Sequence, residues 1–279
     1  MPGAYAHIPA LRSDIERLID LVGSADALDP VVPGLAWTAS QTLTHVIVAV
    51  SGISMGIRGD VSGLRFVTDS AAELGDATPT EAVAAVNAKS LSFLHVTDPK
   101  EAAEGLRNSG EALLGAIAEA EPEFVCPTPW YGAGNERPAW VMAAVAHGEF
   151  LVHGLDVARA LGRPWELPSE AAGVVAHAVW AGMMPFMLTA EGRAFEGAVD
   201  LEIRGGKAFS MTFGGGKVTL GEPLPEGASE CLLSLTPEAA LLVAYGRADH
   251  GPYFETGEIR ASGRNAEAGF RVPGFFDKP

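Results

Sequence analysis

Long stretches of helical spacing dominate the first 160 residues and restrict this part of the chain to a helical architecture. Apolar residues recur there every three to four positions, with few internal breaks. The stretches are residues 13–22, 38–57, 80–94, 99–120 and 139–162. Ser13 is a candidate N-cap for the first, and Thr38 with Gln41 fits a capping box at the start of the second. The third and fourth fit either two helices or one interrupted helix. Four long helices with one crossover loop predict an antiparallel bundle.

The sequence changes character after "RPWELP" (163–168), which we take as a domain boundary. One further helix is predicted at 169–188. Short alternating runs separated by glycines then follow, a pattern typical of antiparallel strands. The prediction is an α+β protein with a helical bundle at 1–168 and a small α+β domain at 169–279.

The predicted C-terminal domain combines strands with a capped helix. "GAVDLEIRGG", "KAFSMTFGGG" and "KVTLGE" are the alternating runs, and "ECLLSL" and "GEIRASG" are further strands. "TPEAALLVAYGR" is predicted to be a helix with Pro237 at its first position. The glycine triplet 214–216 lacks the Lys-Ser/Thr of a phosphate-binding loop, so we interpret it as a hairpin turn.

Composition excludes several partners and favours a reducing compartment. The formal net charge of −16 argues against a nucleic-acid or anionic-membrane surface. The sequence contains no uninterrupted apolar stretch of about 18 residues, the length that a membrane span needs. The N-terminus does not resemble a signal peptide. The two cysteines, Cys126 and Cys231, are far apart and form no C-x-x-C motif. We therefore expect a cytoplasmic protein with reduced cysteines.

The stretch "HGEFLVHGLDVARA" (147–160) carries an unusual group of polar residues in an apolar helix. At about 100° per residue, Glu149, His153 and Asp156 share one face, whereas His147 falls nearly opposite. An acid and an imidazole four residues apart can hold a divalent ion or act as an acid–base pair. A Glu–His pair at this spacing is more often a local polar contact, so a metal site needs a third ligand.

His45, in "QTLTHVIVAV", is the candidate third ligand. A lone histidine on an apolar helix is usually a core residue satisfied by one hydrogen bond. His45, however, lies on a long helix of the same predicted bundle, and bundles build metal sites from facing helices. Two histidines and one carboxylate with an open position form the ligand set of a catalytic zinc or related divalent ion.

These segments resemble the mycothiol-dependent maleylpyruvate isomerase family. "LAWTASQTLTHVIVAV" is similar to that family's W-[ST]-x-x-x-[LV]-x-x-H helix, and "GEFLVHGLDVARALGRPWELP" to its E-x-x-x-H-G-x-D-x-A-R-A-x-G segment. "PTPWYGAG" resembles the loop before that helix, and "LTPEAALLVAYGR" with "ASG" resembles a sterol-carrier-protein-like domain. The resemblance covers most of the chain and implies a DinB-like four-helix bundle followed by that domain.

The resemblance implies a function as well as a fold. It carries the metal ligands over to His45, Glu149 and His153, with Zn²⁺ the expected ion. It implies that mycothiol is the thiol cofactor. Bound to the metal as a thiolate, mycothiol would add to a small electrophile or displace a group from it. The enzyme would be an isomerase or a thiol S-transferase. Two alternatives stay open: a hydrolase using metal-bound water, and a non-catalytic protein that sequesters a small molecule.

Further residues are candidates for supporting roles. Asp156 fits either an acceptor for a ligand histidine or an ion pair with Arg159. Arg247 lies at the place where the family has an arginine. It fits either a residue that binds a substrate carboxylate as the C-terminal domain closes over the metal, or a surface residue. Trp37, a candidate for cofactor binding, and Trp130 fit either the pocket wall or the core, and Cys126 fits either an approach to the site or, more often, a packed loop. We expect a monomer or homodimer.

Two features depart from the family pattern. Leu155 stands where the family often has Trp, and "ADHGPYFETGEI" lengthens the loop after Gly246 and Arg247. Both departures are expected to alter the substrate pocket without changing the metal ligands.

Overall fold

The structure, a computed structural model, describes residues 5–278 except 66, 68, 70–72 and 74–76. The chain divides into two compact units, Met1–Leu167 and Pro168–Pro279. The first is mainly helical and the second combines a sheet with helices. The α+β class predicted from the sequence is therefore confirmed.

Within the part of the N-terminal unit that the structure describes, five helices have defined bounds, and four of them form a bundle. They are α1 (Ile8–Gly23), α2 (Ala39–Ile57), α3 (Pro79–Phe93), α4 (Pro99–Glu119) and α5 (Ala139–Ala160). Helices α4 and α5 each pack against both α1 and α2, and α3 packs on α2. Leu18, Leu43, Leu106 and Phe150 fill the space between them and are fully buried. Each such side chain contributes roughly 1.5–3 kcal/mol through the apolar surface it removes from water.

Local capping signals explain where most of these helices begin. The Thr38 hydroxyl accepts from the Gln41 amide (3.2 Å), and the Gln41 side chain accepts from the Thr38 amide (2.9 Å), so the predicted capping box is confirmed. Asp98 caps α4 by accepting from the amides of Lys100 and Glu101. Because Leu94 is already extended and Asp98 starts a new helix, α3 and α4 are two separate helices.

The predicted start of α1 is wrong. The helix begins at Ile8 instead of Ser13, which lies inside it. Pro9 sits in the first turn, where its missing N–H costs no hydrogen bond, so the proline does not delay the helix.

The predicted loop between α4 and α5 contains a small hairpin. Strands β1 (Val125–Pro127) and β2 (Glu136–Pro138) pair antiparallel. Between them a 3₁₀ turn, Pro129–Tyr131, packs against α3. This turn carries two aromatic side chains, Trp130 and Tyr131, to the edge of a cavity in the bundle.

The C-terminal unit is built around a five-stranded sheet. Its strands are β3 (Gly197–Ile203), β4 (Phe209–Gly214), β5 (Lys217–Gly221), β6 (Cys231–Leu235) and β7 (Ile259–Ser262). Their order is β5-β4-β3-β6-β7, and every neighbouring pair is antiparallel except β3 and β6, which are parallel. Gly215 and Gly216 both have positive φ (58° and 75°) in the two-residue β4–β5 connection, so the predicted hairpin turn is confirmed.

Helices accompany this sheet. They are α6 (Ser169–Gly182), α7 (Ala190–Ala194), α8 (Pro237–Ala244), α9 (His250–Thr256) and α10 (Ala266–Arg271). The predicted helix at 169–188 is too long: α6 ends at Gly182, and Pro185 lies in a separate 3₁₀ turn because proline cannot continue the helical hydrogen bonding. Helix α8 begins with Pro237 in its first turn as predicted, and α7, α9 and α10 are additional.

Helices α2 and α5 are long and apolar enough to cross a membrane by length and composition. Of their most apolar 18-residue windows, 67% and 94% are buried. Core helices of a bundle pass the same test, and the packing of α2 against α5 accounts for the apolar composition of both.

Candidate metal and active site

Two facing helices bring three potential ligands together. His45 projects from α2, and Glu149 and His153 project from α5. Nε2 of His45 lies 3.2 Å from Oε2 of Glu149, and Nε2 of His153 lies 3.4 Å from the same oxygen. One ligand atom from each residue lies within 4.8 Å of the other two. The residues selected from the sequence as a metal set are thus brought to one place.

The cluster is mostly buried but reachable. The side chains of His45 and Glu149 are each 12% exposed, and that of His153 is 8% exposed. Burying a carboxylate beside two imidazoles is costly unless a cation or a shared proton balances it. Two imidazole nitrogens and one carboxylate oxygen converging on a point are a suitable donor set for a divalent ion.

Asp156 fixes the orientation of one of these histidines. Its Oδ2 lies 2.9 Å from Nδ1 of His153, and the residue is 1% exposed. A carboxylate at Nδ1 favours the tautomer with its proton on that nitrogen, which would leave the Nε2 lone pair of His153 to bind an ion. Of the two roles considered for Asp156, this contact supports that of acceptor for a ligand histidine.

Substituting Asp156 should therefore weaken metal binding without removing a ligand. For Asp156→Asn we expect the metal dissociation constant to rise roughly 10- to 100-fold, because the amide no longer favours one imidazole tautomer. Chelator competition measures the constant, and circular dichroism of the metal-free protein reports helix content. Unchanged affinity would show that Asp156 only packs beneath the site.

His147 lies on the other side of α5, as its helical phase predicts. Its Nε2 is 2.8 Å from Oδ2 of Asp14 on α1, and its ring stacks on His7 with centroids 5.6 Å apart. Asp14 also pairs with Arg17 at 2.5 Å. His147 therefore belongs to a buried polar contact between α5 and α1, separate from the cluster around Glu149.

Gly154 permits a close approach by Trp165 next to the candidate ligands. A Cβ at Gly154 would lie 2.2 Å from a carbon of the Trp165 ring. The indole N–H donates to the Leu151 carbonyl (3.0 Å), and the Arg17 guanidinium lies 4.2 Å from the ring centroid. The glycine after His153 is thus required by packing, because only a residue without a side chain leaves space for this indole.

A cavity of about 560 Å³, including the part open to solvent, adjoins the cluster. His45 and Glu149 form part of its wall, and the rest comes from α2, α3, the segment around Leu64 and Val67, and the 3₁₀ turn. Trp130 lines it, one of the two roles considered for that residue. Trp37 is half-buried, with its ring 5.2 Å from that of His45.

Sequence reasoning missed three polar residues of this cavity: Tyr131, Asn87 and Ser90. Burial, and secondly the charge of Glu149, raise the pKa of Tyr131 to about 12. Its phenol therefore stays protonated at neutral pH and can donate a hydrogen bond. Asn87 and Ser90 are three apart on α3, a spacing that marks one helix face but gives no sign of a cavity.

Neither cysteine is suited to be the nucleophile. Cys126 and Cys231 are free and buried. Burial raises the pKa of each thiol to about 11, and for Cys231 the nearby Glu230 adds to the effect. The thiolate fraction at neutral pH is therefore very small.

Arg247 belongs to the C-terminal unit, where it follows α8. Gly246, with φ 64°, and the Arg247 amide close the helix by donating to the carbonyls of Val243 and Leu242. The Arg247 guanidinium donates to the Tyr245 carbonyl (2.7 Å) and is half-buried. A role in substrate binding remains a prediction.

Fold and site define a class: a helical-bundle protein with an acid–imidazole cluster open to a cavity. The family model described as the mycothiol maleylpyruvate isomerase N-terminal domain matches residues 8–158. This is more than half of the chain and spans α1 to α5 up to Ala158. The chain therefore belongs to this family, the resemblance seen in the sequence is confirmed, and the protein is an enzyme of an isomerase family.

Two solved structures share the fold over nearly the whole chain. One is the mycothiol-dependent maleylpyruvate isomerase, with 16% identity and a TM-score of 0.50. The other is a histidine-to-alanine mutant of that enzyme, with 15% identity and a TM-score of 0.52. Each match covers 93% of this chain and 92% of the other. No curated protein matches the sequence.

Proposed function

We propose that this protein is a cytoplasmic enzyme that uses mycothiol and a divalent metal, with zinc expected, to isomerise or conjugate a small electrophile. The observation that carries the proposal is the convergence of His45, Glu149 and His153 at the edge of a cavity. Family membership supports the thiol and the isomerase class. A monomer or homodimer without a nucleic-acid or membrane partner is expected.

In this proposal the chain's own residues provide most of the site. His45, Glu149 and His153 would hold the ion, and Asp156 orients His153. A divalent ion lowers the pKa of a thiol that reaches an open coordination position. The cavity binds the electrophile and excludes water, which holds the two reactants together and prevents competing hydrolysis.

The thiol would supply a nucleophilic sulfur that adds reversibly to a cis double bond conjugated to a carbonyl. Rotation about the resulting single bond and loss of the thiol would give the trans product, with no oxidant or further reactant. Tyr131 is our candidate for donating a hydrogen bond to the carbonyl oxygen, since its phenol stays protonated in the cavity wall.

A cobalt-substituted protein tests the thiol mechanism. Adding mycothiol should produce a sulfur-to-cobalt charge-transfer band in the near ultraviolet, because the thiol reaches the metal. The double variant Cys126→Ser, Cys231→Ser should show the same band, since both native thiols are buried. If the band never appears, or appears without added thiol and disappears in the double variant, the mechanism fails. A hydrolase using metal-bound water would then be the better assignment, and thiol-independent turnover would support it.

Arg247→Ala tests the proposed carboxylate clamp. Metal content and melting temperature should stay nearly unchanged, because Arg247 lies in the unit without the His–Glu–His cluster. Binding of a substrate with a carboxylate should weaken by roughly 1.5–3 kcal/mol through loss of a charged hydrogen bond. Equal KM and turnover in the variant and the parent protein would assign Arg247 to the surface.

A further inference from the structure

We propose that the cavity beside His45 and Glu149 selects the uncharged, apolar body of an electrophile and rejects a dicarboxylic acid. The inference rests on the proposed function, since it names the substrate class of that site. It concerns only the part of the substrate that enters the bundle.

Apolar side chains form most of the cavity wall. Val48 and Ile53 come from α2, Val83 and Val86 come from α3, and Val67 lies between the two helices in sequence. Val67, Val86 and Leu64 also form a buried cluster against which Trp130 packs. Contact between this wall and a hydrocarbon part of a ligand favours binding, because both apolar surfaces are removed from water.

No described residue of this wall is a lysine or arginine, and its single carboxylate is Glu149. The sequence has no basic side chain at 66, 68, 70–72 or 74–76 either. One cation, Arg137, packs over the Tyr131 ring at 5.5 Å, but it is not part of the wall and donates to the Glu136 carbonyl. Among the described residues of the wall, the titratable groups next to the candidate metal position are His45 and Glu149, and an ion held there would add its charge at that place.

The neutral polar groups of the wall are few. The Ser90 hydroxyl donates to the Val86 carbonyl (2.8 Å), so its proton is already used. The Asn87 amide and the protonated Tyr131 phenol suit a carbonyl or ester oxygen, which needs a donor and no counter-charge. A carboxylate beside the apolar wall, away from the candidate ligands, would lose its hydration without gaining a cation.

The charges of this wall do not match those of the substrate that is named for the two similar structures. Maleylpyruvate carries two carboxylates, which call for two cationic or strongly donating sites. The cavity described here offers an apolar wall with two neutral donors. An α,β-unsaturated ketone or ester with an apolar body matches it.

Diethyl maleate and maleate test the inference, because they share the cis double bond and differ in charge. Calorimetric titration of the metal-loaded protein, without thiol, should give at least tenfold tighter binding of the diester. Asn87→Arg should tighten maleate binding at least tenfold by placing a cation in the wall. Asn87→Leu, the uncharged control, should not. The buried cysteines with raised pKa values should not react with the diester during the measurement.

Equal or tighter binding of maleate to the parent protein would overturn the inference, whether or not maleate binds through the metal. So would the absence of saturable diester binding. This comparison of the parent protein decides the question even if an Asn87 variant does not fold. Loss of the cobalt–thiol band with the diester preference intact would reject the thiol mechanism alone, so the two failures are distinguishable.

Discussion

His153→Ala should reduce bound metal from about one ion per chain to a trace while the protein stays helical. The substitution removes one of three donors and leaves His45 and Glu149, a pair too weak to retain the ion through gel filtration. Loss of a residue that hydrogen-bonds to a metal ligand costs roughly 10- to 100-fold in metal affinity. Loss of a ligand itself should therefore cost at least about 100-fold. Elemental analysis after gel filtration measures the metal, and circular dichroism the helix content.

His147→Ala is the matched control for this experiment. The residue is the same, it lies six positions earlier on the same helix, and it is fully buried, but it contacts Asp14 on α1. Its substitution should lower stability and leave metal content unchanged. Stoichiometric metal in His153→Ala would contradict the assigned ligand set. Loss of metal in His147→Ala but not in His153→Ala would show that the wrong face of α5 was chosen.

Gly154→Ala should lower the free energy of unfolding by about 2–3 kcal/mol, although alanine is the better helix former. The new methyl would lie 2.2–2.8 Å from three carbons of the Trp165 ring. The indole must move, and its hydrogen bond to the Leu151 carbonyl and its packing under Arg17 are then weakened. Denaturant titration of the parent protein and the variant measures the difference.

Gly52→Ala separates this clash from the general effect of replacing a helical glycine. A Cβ at Gly52 would meet its nearest neighbours at 3.8 and 3.9 Å, which is ordinary contact. This variant should gain about 0.5–1 kcal/mol, because alanine loses less backbone entropy in a helix. If Gly154→Ala were also stabilising, the Trp165 ring would have to move without cost, and the packing reason for this glycine would be lost.

Signals carried by neighbouring residues could be predicted from the sequence, and contacts between distant residues could not. The Thr38 capping box, the first turn of α8 at Pro237 and the turn at Gly215 each depend on a few consecutive residues, and each is confirmed. The parallel pairing of β6 with β3 joins segments about 30 residues apart and has no local mark. The start of α1 at Ile8 was missed because Pro9 was not recognised as a first-turn residue.

The candidate site divides in the same way. Glu149, His153 and Asp156 share a face because of helix periodicity alone, so their proximity follows from the sequence. His45 required the further assumption that α2 and α5 are neighbours. The partner of His147, Asp14, lies 133 residues away, and no spacing rule connects them. Tyr131 and Asn87 could not be assigned to the cavity, because only the packing of the 3₁₀ turn against α3 brings them there.

Helix α5 makes buried polar contacts on opposite faces, from Glu149 to His45 on α2 and from His147 to Asp14 on α1, and this arrangement fixes its register. The rest of the helix is largely Ala, Val and Leu, side chains that repack with little loss after a small slide or rotation. A slip of one residue would turn the helix by about 100° and separate Glu149 from His45 and His147 from Asp14. Two buried polar contacts facing opposite ways are satisfied in a single position. The helix that presents the candidate ligands is thus held in place from its far side, by residues that never touch the substrate.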